Sequence, residues 1–244
     1  MIPDRRPAPR EILRHLEERR DDMVRLLRRL TAAESPSDVP ETQDEVREVI
    51  ALHLEALDYT VRRVPGRNSG GMLHARPRKR PHGGHAQMIL GHYDTVWPVG
   101  TLEGMPFEYD GEVVKGPGVY DMKGGVVQAL LAIGALQHFG VDPAVTPHVF
   151  FNSDEEIGSR DSRRYIEKLA TGMERVFVLE PSLGPSGRLK TARKGIGRFT
   201  VRVHGEAAHA GLDPGAGASA ILELSHVIQE LFALNDLDRG VTVN

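Results

Sequence analysis

The sequence contains no cysteine. Disulfide bridges are therefore excluded, and any metal centre must be built from His, Asp and Glu. Charge imbalance is also small. A formal net charge of -3 at pH 7 gives no reason to expect a nucleic-acid or anionic-membrane partner. No apolar core segment follows the start Met1-Ile2-Pro3-Asp4-Arg5-Arg6, so neither a secretory nor a twin-arginine signal is read there, and a cytoplasmic location is the expectation. No run is judged long enough to span a bilayer. Internal repeats and low-complexity segments are absent. So are a G-x-S-x-G nucleophile elbow, a G-x-x-x-x-G-K-[ST] phosphate loop, and a G-x-G-x-x-G after a strand.

What is present is ordinary globular material: 244 residues, 40% hydrophobic and 27% charged, enough for one large domain or for a domain with a smaller appendage. Ile12, Leu16, Met23, Leu26, Leu27 and Leu30 recur at helical spacing and predict one surface helix with a buried stripe. Interleaved Glu17, Glu18, Asp21 and Asp22 make its arginines part of a solvated face. Ser35-Pro36-Ser37 breaks that pattern. Thr42 and Glu45 have capping-box spacing ahead of a second amphipathic helix carrying Val46, Val49, Ile50, Leu54 and Leu57. Strands are expected at Tyr59–Val64 and Met72–Ala75, and a buried one at Met88-Ile89-Leu90. Arg76–Arg80, with Pro77 and Pro81, reads as an exposed basic, proline-broken loop.

A hairpin is expected around Asp110-Gly111. Met122–Phe139 is apolar nearly all round, as a helix buried against a sheet should be. Strand Val149–Phe151, helix Ser162–Ala170 and strand Val176–Leu179 follow. This alternation predicts an α/β fold, a sheet flanked by helices. Beyond Gly195, Phe199, Val201 and Val203 alternate with polar residues as in a half-exposed strand. A helix over about Ala218–Leu234 comes next, and another strand starts at Val241.

Three of the apolar strands end in residues that can bind metal. Ile89-Leu90 leads to His92 and Asp94, Phe150-Phe151 to Asp154-Glu155-Glu156, and Val178-Leu179 to Glu180. Sites in open α/β sheets form at the carboxyl ends of strands. On a chain still extended, residues two apart point the same way. Asp94 can therefore engage one nitrogen of His92 and leave the other for a cation. Asp121, before Gly124-Gly125 and the buried helix, adds a further carboxylate. One His with several carboxylates suits zinc, cobalt or manganese. Of two adjacent glutamates, one can coordinate while its neighbour serves as general base. A surface turn holding a histidine, and an acidic helix N-terminus, are the plain alternatives for each motif taken alone. His82, His85, His138, His148 and His226 are read as ordinary surface or satisfied residues.

Five motifs then occur in order: Gly91-His92-Tyr93-Asp94-Thr95-Val96, Gly116-Pro117-Gly118 with Asp121-Met122-Lys123-Gly124-Gly125, Asn152-Ser153-Asp154-Glu155-Glu156-Ile157-Gly158-Ser159, Glu180-Pro181, and His209-Ala210-Gly211. Together they resemble the co-catalytic zinc amidohydrolases that include glutamate carboxypeptidase, acetylornithine deacetylase and succinyl-diaminopimelate desuccinylase. The glutamate carboxypeptidase branch is the nearest.

The resemblance implies a zinc-peptidase-like mixed sheet flanked by helices over residues 1–193, with an inserted α+β lid and dimerisation domain beginning at 194–244. It implies two Zn2+ ions, replaceable by Co2+ or Mn2+. Asp121 would bridge them, His92 and Glu180 would complete one, and Glu156 would serve the other. Glu155 would be the general base and Asp94 would orient His92. His209 would steady the oxyanion in the partner subunit of a homodimer, and the peptide bond after Asp121 would be cis. The substrate class is an amide of an N-acyl amino acid or short peptide, attacked by water bridging the two ions. In that family a histidine nearer the C-terminus completes the second ion, and the lid continues beyond the strand, helix and strand start seen here. The second expectation is therefore a truncated, non-catalytic homologue or fragment that binds at most one metal ion.

Overall fold

Seven strands and seven α-helices follow one another in the computed structural model, which describes residues 7–79, 84–184 and 186–244. Arg5, Arg6, Arg80, Pro81 and His82 lie outside the described residues. Two compact units part between Pro181 and Ser182; the sequence reading put its domain boundary after residue 193.

The first unit opens with α1 (Pro9–Glu18) and α2 (Arg20–Ala32). One helix was expected here. Arg19 leaves helical geometry at φ -101, ψ 17, and the break lets each piece pack separately on the later core helix. Helix α3 (Gln43–Ala56) follows a short 3-10 turn over Pro40–Thr42. The capping box expected at Thr42 does not form. Thr42 already belongs to that turn, and its hydroxyl donates to the Val39 carbonyl at 3.0 Å.

Strands β1 (Tyr59–Val64), β2 (Met72–Pro77) and β3 (Ala86–His92) come next. A short helix α4 (Thr101–Gly104) leads to the expected hairpin, β4 (Glu108–Tyr109) with β5 (Val114–Lys115). Helix α5 (Gly124–His138), β6 (Thr146–Asn152), α6 (Arg163–Ala170) and β7 (Arg175–Val178) complete the unit.

The main sheet runs β1-β2-β6-β3-β7. The β1–β2 and β2–β6 pairs are antiparallel, whereas β3 is parallel to both β6 and β7. The sheet is thus mixed. Both faces are covered at the central strand β6: Val149 and Phe151 join the core under α2, α3 and α5, while Phe150 points into the core on the side of α6. The two-residue period of a strand sorts its apolar side chains to opposite layers.

Val119–His138, which includes α5, is apolar and long enough, by length and composition alone, to cross a membrane. This corrects the sequence reading that no such run exists. Half of the segment is buried against this unit's core, which is how a central helix of a sheet protein behaves.

Two contacts fix the approach to α5. Gly125 lies so close to Leu179 that a Cβ would overlap the Leu179 carbonyl oxygen. Lys123, 1% exposed, donates from Nζ to the carbonyls of Leu30 at 2.8 Å and Ala33 at 3.0 Å. A cation is thereby set on the orphan acceptors at the C-terminal end of α2. Burial draws the Lys123 ammonium down to about 7, against the pull of Glu34 and Asp94.

The second unit contains α7 (Ala220–Phe232), capped by the Ser219 hydroxyl, which accepts from the Leu222 amide at 3.2 Å. The strand expected at Phe199–Val203 does not form. Alternation of side chains makes a strand only when a neighbour takes up its backbone groups, and among the described residues none pairs with this stretch. Phe199 is 90% exposed. Val241 makes a single bridge, to Asp236.

Two substitutions test these contacts. Gly125→Ala should destabilise the protein by about 1–3 kcal/mol through overpacking against backbone, and an unchanged urea midpoint would refute the close approach. Lys123→Met leaves two buried carbonyls unmet. A loss of about 1.5–3 kcal/mol in the same measurement is expected.

Candidate metal centre

Parallel pairing brings the strand ends together. In register, His92 of β3 stands beside Asn152 of β6, and Leu90 beside Val178 of β7. The residues just past these positions, Asp94, Glu155, Glu156 and Glu180, therefore emerge at one edge of the sheet. Asp121 reaches the same edge from the turn Val119–Lys123 that enters α5. That turn departs from helical geometry at Asp121 and Met122, and the peptide bond between them is cis. Its shape depends on Gly118, at φ +69, where a Cβ would collide with the Thr95 side chain.

His92 is the centre of the cluster and is 1% exposed. Its Nε2 lies 3.2 Å from Asp121 Oδ1, 3.4 Å from Glu180 Oε1 and 3.9 Å from Glu155 Oε2. On the other side of the ring, Nδ1 is 3.0 Å from the Asp94 carbonyl oxygen and 3.2 Å from Asp94 Oδ1. Among the described residues, His92, Asp121 and Glu180 form the one group whose ligand atoms all lie within 4.8 Å of one another. Glu156 is outside that group. Its backbone N–H donates to Asp94 Oδ2 at 3.2 Å.

The three consecutive acids after β6 have different surroundings. Asp154 is buried and accepts from the Asp161 and Ser162 amides at 2.7 and 3.2 Å, shaping the turn into α6. Glu155 is exposed at its outer side and Glu156 half-buried. His209 belongs to the second unit, where it is exposed and its Nδ1 accepts the Gly211 amide at 3.1 Å.

The electrostatics are those of an anionic site short of positive charge. Among the described residues, neither Lys nor Arg is ion-paired to Asp94, Glu155, Glu156 or Glu180. Burial lowers the His92 pKa, but hydrogen bonding to Asp121, Asp94 and Glu180 more than reverses this and pushes it up to about 12. Burial first, then repulsion from Asp121, Glu155 and Asp94, pushes Glu156 up to about 7, with His92 opposing. Glu155 is likewise raised, chiefly by burial. His92, Asp121 and Glu180 together are a group that could hold a metal ion. One imidazole and two carboxylates, with no soft ligand, suit a zinc-like divalent ion. Asp94 Oδ1 is buried without a hydrogen-bond partner, 3.2 Å from His92 Nδ1.

Sequence reasoning missed the residues that hold this edge in place. Ser35-Pro36-Ser37, read only as a helix breaker, lies parallel to Tyr93–Thr95. The Thr95 amide donates to the Ser35 carbonyl at 2.9 Å, the Ser37 amide to the Thr95 carbonyl at 3.1 Å, and the Ser35 hydroxyl to the Tyr93 carbonyl at 2.6 Å. Behind this strap sits Gln43, fully buried. Its amide nitrogen donates to the carbonyls of Pro36 and Ser153, and its oxygen accepts the Gly70 amide. The one available signal was a polar glutamine ahead of an apolar helix face, which composition alone does not separate from a solvent-facing residue.

Comparison with known proteins agrees with this geometry. Residues 88–242 match the model of peptidase family M20/M25/M40. Carboxypeptidase G2 of Pseudomonas sp. (strain RS-16) is 32% identical over 201 residues, covering 80% of this chain and 47% of the relative. This chain thus spans about half the length of that protein. Two solved structures share the fold. Human carnosine dipeptidase 1 has a TM-score of 0.61 at 19% identity, over 71% of this chain and 41% of its own. A tripeptidase from Staphylococcus aureus has a TM-score of 0.64 at 14% identity, over 87% and 56%. The chain belongs to peptidase family M20/M25/M40.

Proposed function

We propose that the chain belongs to a zinc-dependent amide hydrolase of carboxypeptidase or deacylase type. The observation that carries the reading is the convergence of His92 Nε2, Asp121 and Glu180, with Glu155 Oε2 only 3.9 Å from that nitrogen. His92, Asp121 and Glu180 would hold a divalent cation, and Asp121 and Glu156 a second. Such a cation, when bound, supplies Lewis-acid polarisation of a carbonyl and acidifies water. Glu155 takes the proton from the attacking water and returns it to the departing amine. Asp94 holds the His92 ring through Nδ1, so that Nε2 stays directed at the cluster. Similarity to carboxypeptidase G2 supports a substrate whose amide joins an acyl or peptidyl group to an amino acid with a free carboxylate. His209 is assigned to oxyanion stabilisation across a homodimer formed through the second unit.

Two measurements test this. Chelation should lower Tm, and added Zn2+ or Co2+ should restore it. The stabilisation should be about 2.7 kcal/mol at a free-ion concentration one hundred times Kd. A Tm indifferent to either ion removes the cation reading. Against a panel of N-acyl amino acids and C-terminal glutamate conjugates, Glu155→Ala should lower kcat by about 10²–10⁴-fold with metal content unchanged. Loss of metal in that variant would make Glu155 a ligand rather than the base. A protein that binds one ion and turns over nothing on the panel would instead be a cation-binding, non-catalytic homologue.

A further inference from the structure

Asp94 is fully buried, and its two carboxylate oxygens see different partners. Oδ1 lies 3.2 Å from His92 Nδ1, whose hydrogen bond goes to the carbonyl oxygen of Asp94 itself at 3.0 Å. Oδ2 accepts the Ser37 hydroxyl at 2.6 Å and the Glu156 amide at 3.2 Å. A hydroxyl has one proton to give. Ser37 Oγ also lies 3.3 Å from the Thr95 carbonyl, but the shorter, charge-assisted bond to the carboxylate takes that proton.

Ser37 itself cannot swing away. It is 5% exposed, its amide is bonded to the Thr95 carbonyl at 3.1 Å, and the preceding Pro36 carbonyl is held by Gln43 at 2.9 Å. The carboxylate of Asp94 is therefore pinned at one oxygen by a side chain from a segment 57 residues earlier. With Oδ2 fixed, rotation about the Asp94 side chain is arrested, and Oδ1 stays directed at the imidazole.

We infer that Ser37 is a positioning residue: by anchoring Asp94 Oδ2 it sets the orientation of His92 and thereby the cation affinity of the His92, Asp121 and Glu180 cluster. This rests on the cation reading given above. The mechanism is transmitted alignment. Ser37 touches neither the cluster nor any reacting atom, and its effect runs through Asp94 alone. Partners one step removed from a metal ligand typically change affinity by about 10–100-fold when lost.

The test is Co2+ titration of the purified protein, followed by the visible absorption of the bound ion, for the parent and for Ser37→Ala, Ser37→Thr, Asp94→Asn and the double variant S37A/D94N. Thermal melts confirm which variants are folded. Ser37→Ala should bind Co2+ about 10–100-fold more weakly with an altered absorption band, and Ser37→Thr, which keeps the hydroxyl, should recover most of the loss. In the Asp94→Asn background, Ser37→Ala should add little, because both changes break one pathway. A folded Ser37→Ala protein with parental affinity and spectrum overturns the role of Ser37 and leaves the cation reading standing. Additive losses in the double variant overturn it as well, since Ser37 would then act independently of Asp94. Should Ser37→Ala fail to fold, the Ser37→Thr and Asp94→Asn titrations decide: a Thr variant as weak as Asp94→Asn refutes the hydroxyl's part. A parent that binds no Co2+ sinks both the cation reading and this one.

Discussion

The buried meeting of His92 with Asp94 governs how the rest of the site is arranged. Burying an imidazole and a carboxylate together is costly unless each finds polar partners. Here those partners come from elements distant in sequence. Asp94 Oδ2 is satisfied by Ser37 and by the Glu156 amide, and His92 is bracketed by Asp94 on one side and by Asp121 and Glu180 on the other. The parallel register of β3 with β6 and β7 is what allows this. It carries three strand ends to one edge and leaves acidic side chains facing a single ring.

Around that ring the charges do not balance. Carboxylates gather at the sheet edge, while the buried cation nearest in sequence, Lys123, is turned to the carbonyls of Leu30 and Ala33. Lys123 helps hold the turn containing Asp121 and is bonded away from the acids, so the anionic character of the edge persists. Within it, His92, Asp121 and Glu180 are a group that could hold a metal ion. Membership of peptidase family M20/M25/M40 is consistent with such a group.

Much of the first unit was legible in the sequence. The short apolar runs at Met88–Leu90 and Val149–Phe151 gave buried strands because both faces of the sheet are covered, and length with flanking turns separates such runs from helices. His92, Asp94, Asp121, Glu155 and Glu180 could be singled out because each follows a strand or precedes the core helix, and parallel pairing gathers such ends. Ser37, Gln43 and Lys123 were hidden. Their function lies in hydrogen bonds to carbonyls and carboxylates far along the chain, and neither periodicity nor spacing encodes a partner. The misread helix at Arg19 and the unformed strand at Phe199 share a cause. Each local pattern was real, yet tertiary partners decide whether a helix stays continuous and whether an alternating stretch is paired.

Gln43 carries a consequence for assembly. A single amide side chain joins the strap at Pro36, the β1–β2 turn at Gly70 and the end of β6 at Ser153, spanning separations of 7, 27 and 110 residues. Each of these segments also makes local hydrogen bonds, such as the Val39 amide to the Pro36 carbonyl and the Gly71 amide to the Ser69 hydroxyl. Contacts of such long range require the chain between them to close into loops, so one side chain ties together segments that local sequence leaves apart. Without β6 the chain would lose both the parallel partner of β3 and the Ser153 carbonyl to which Gln43 donates.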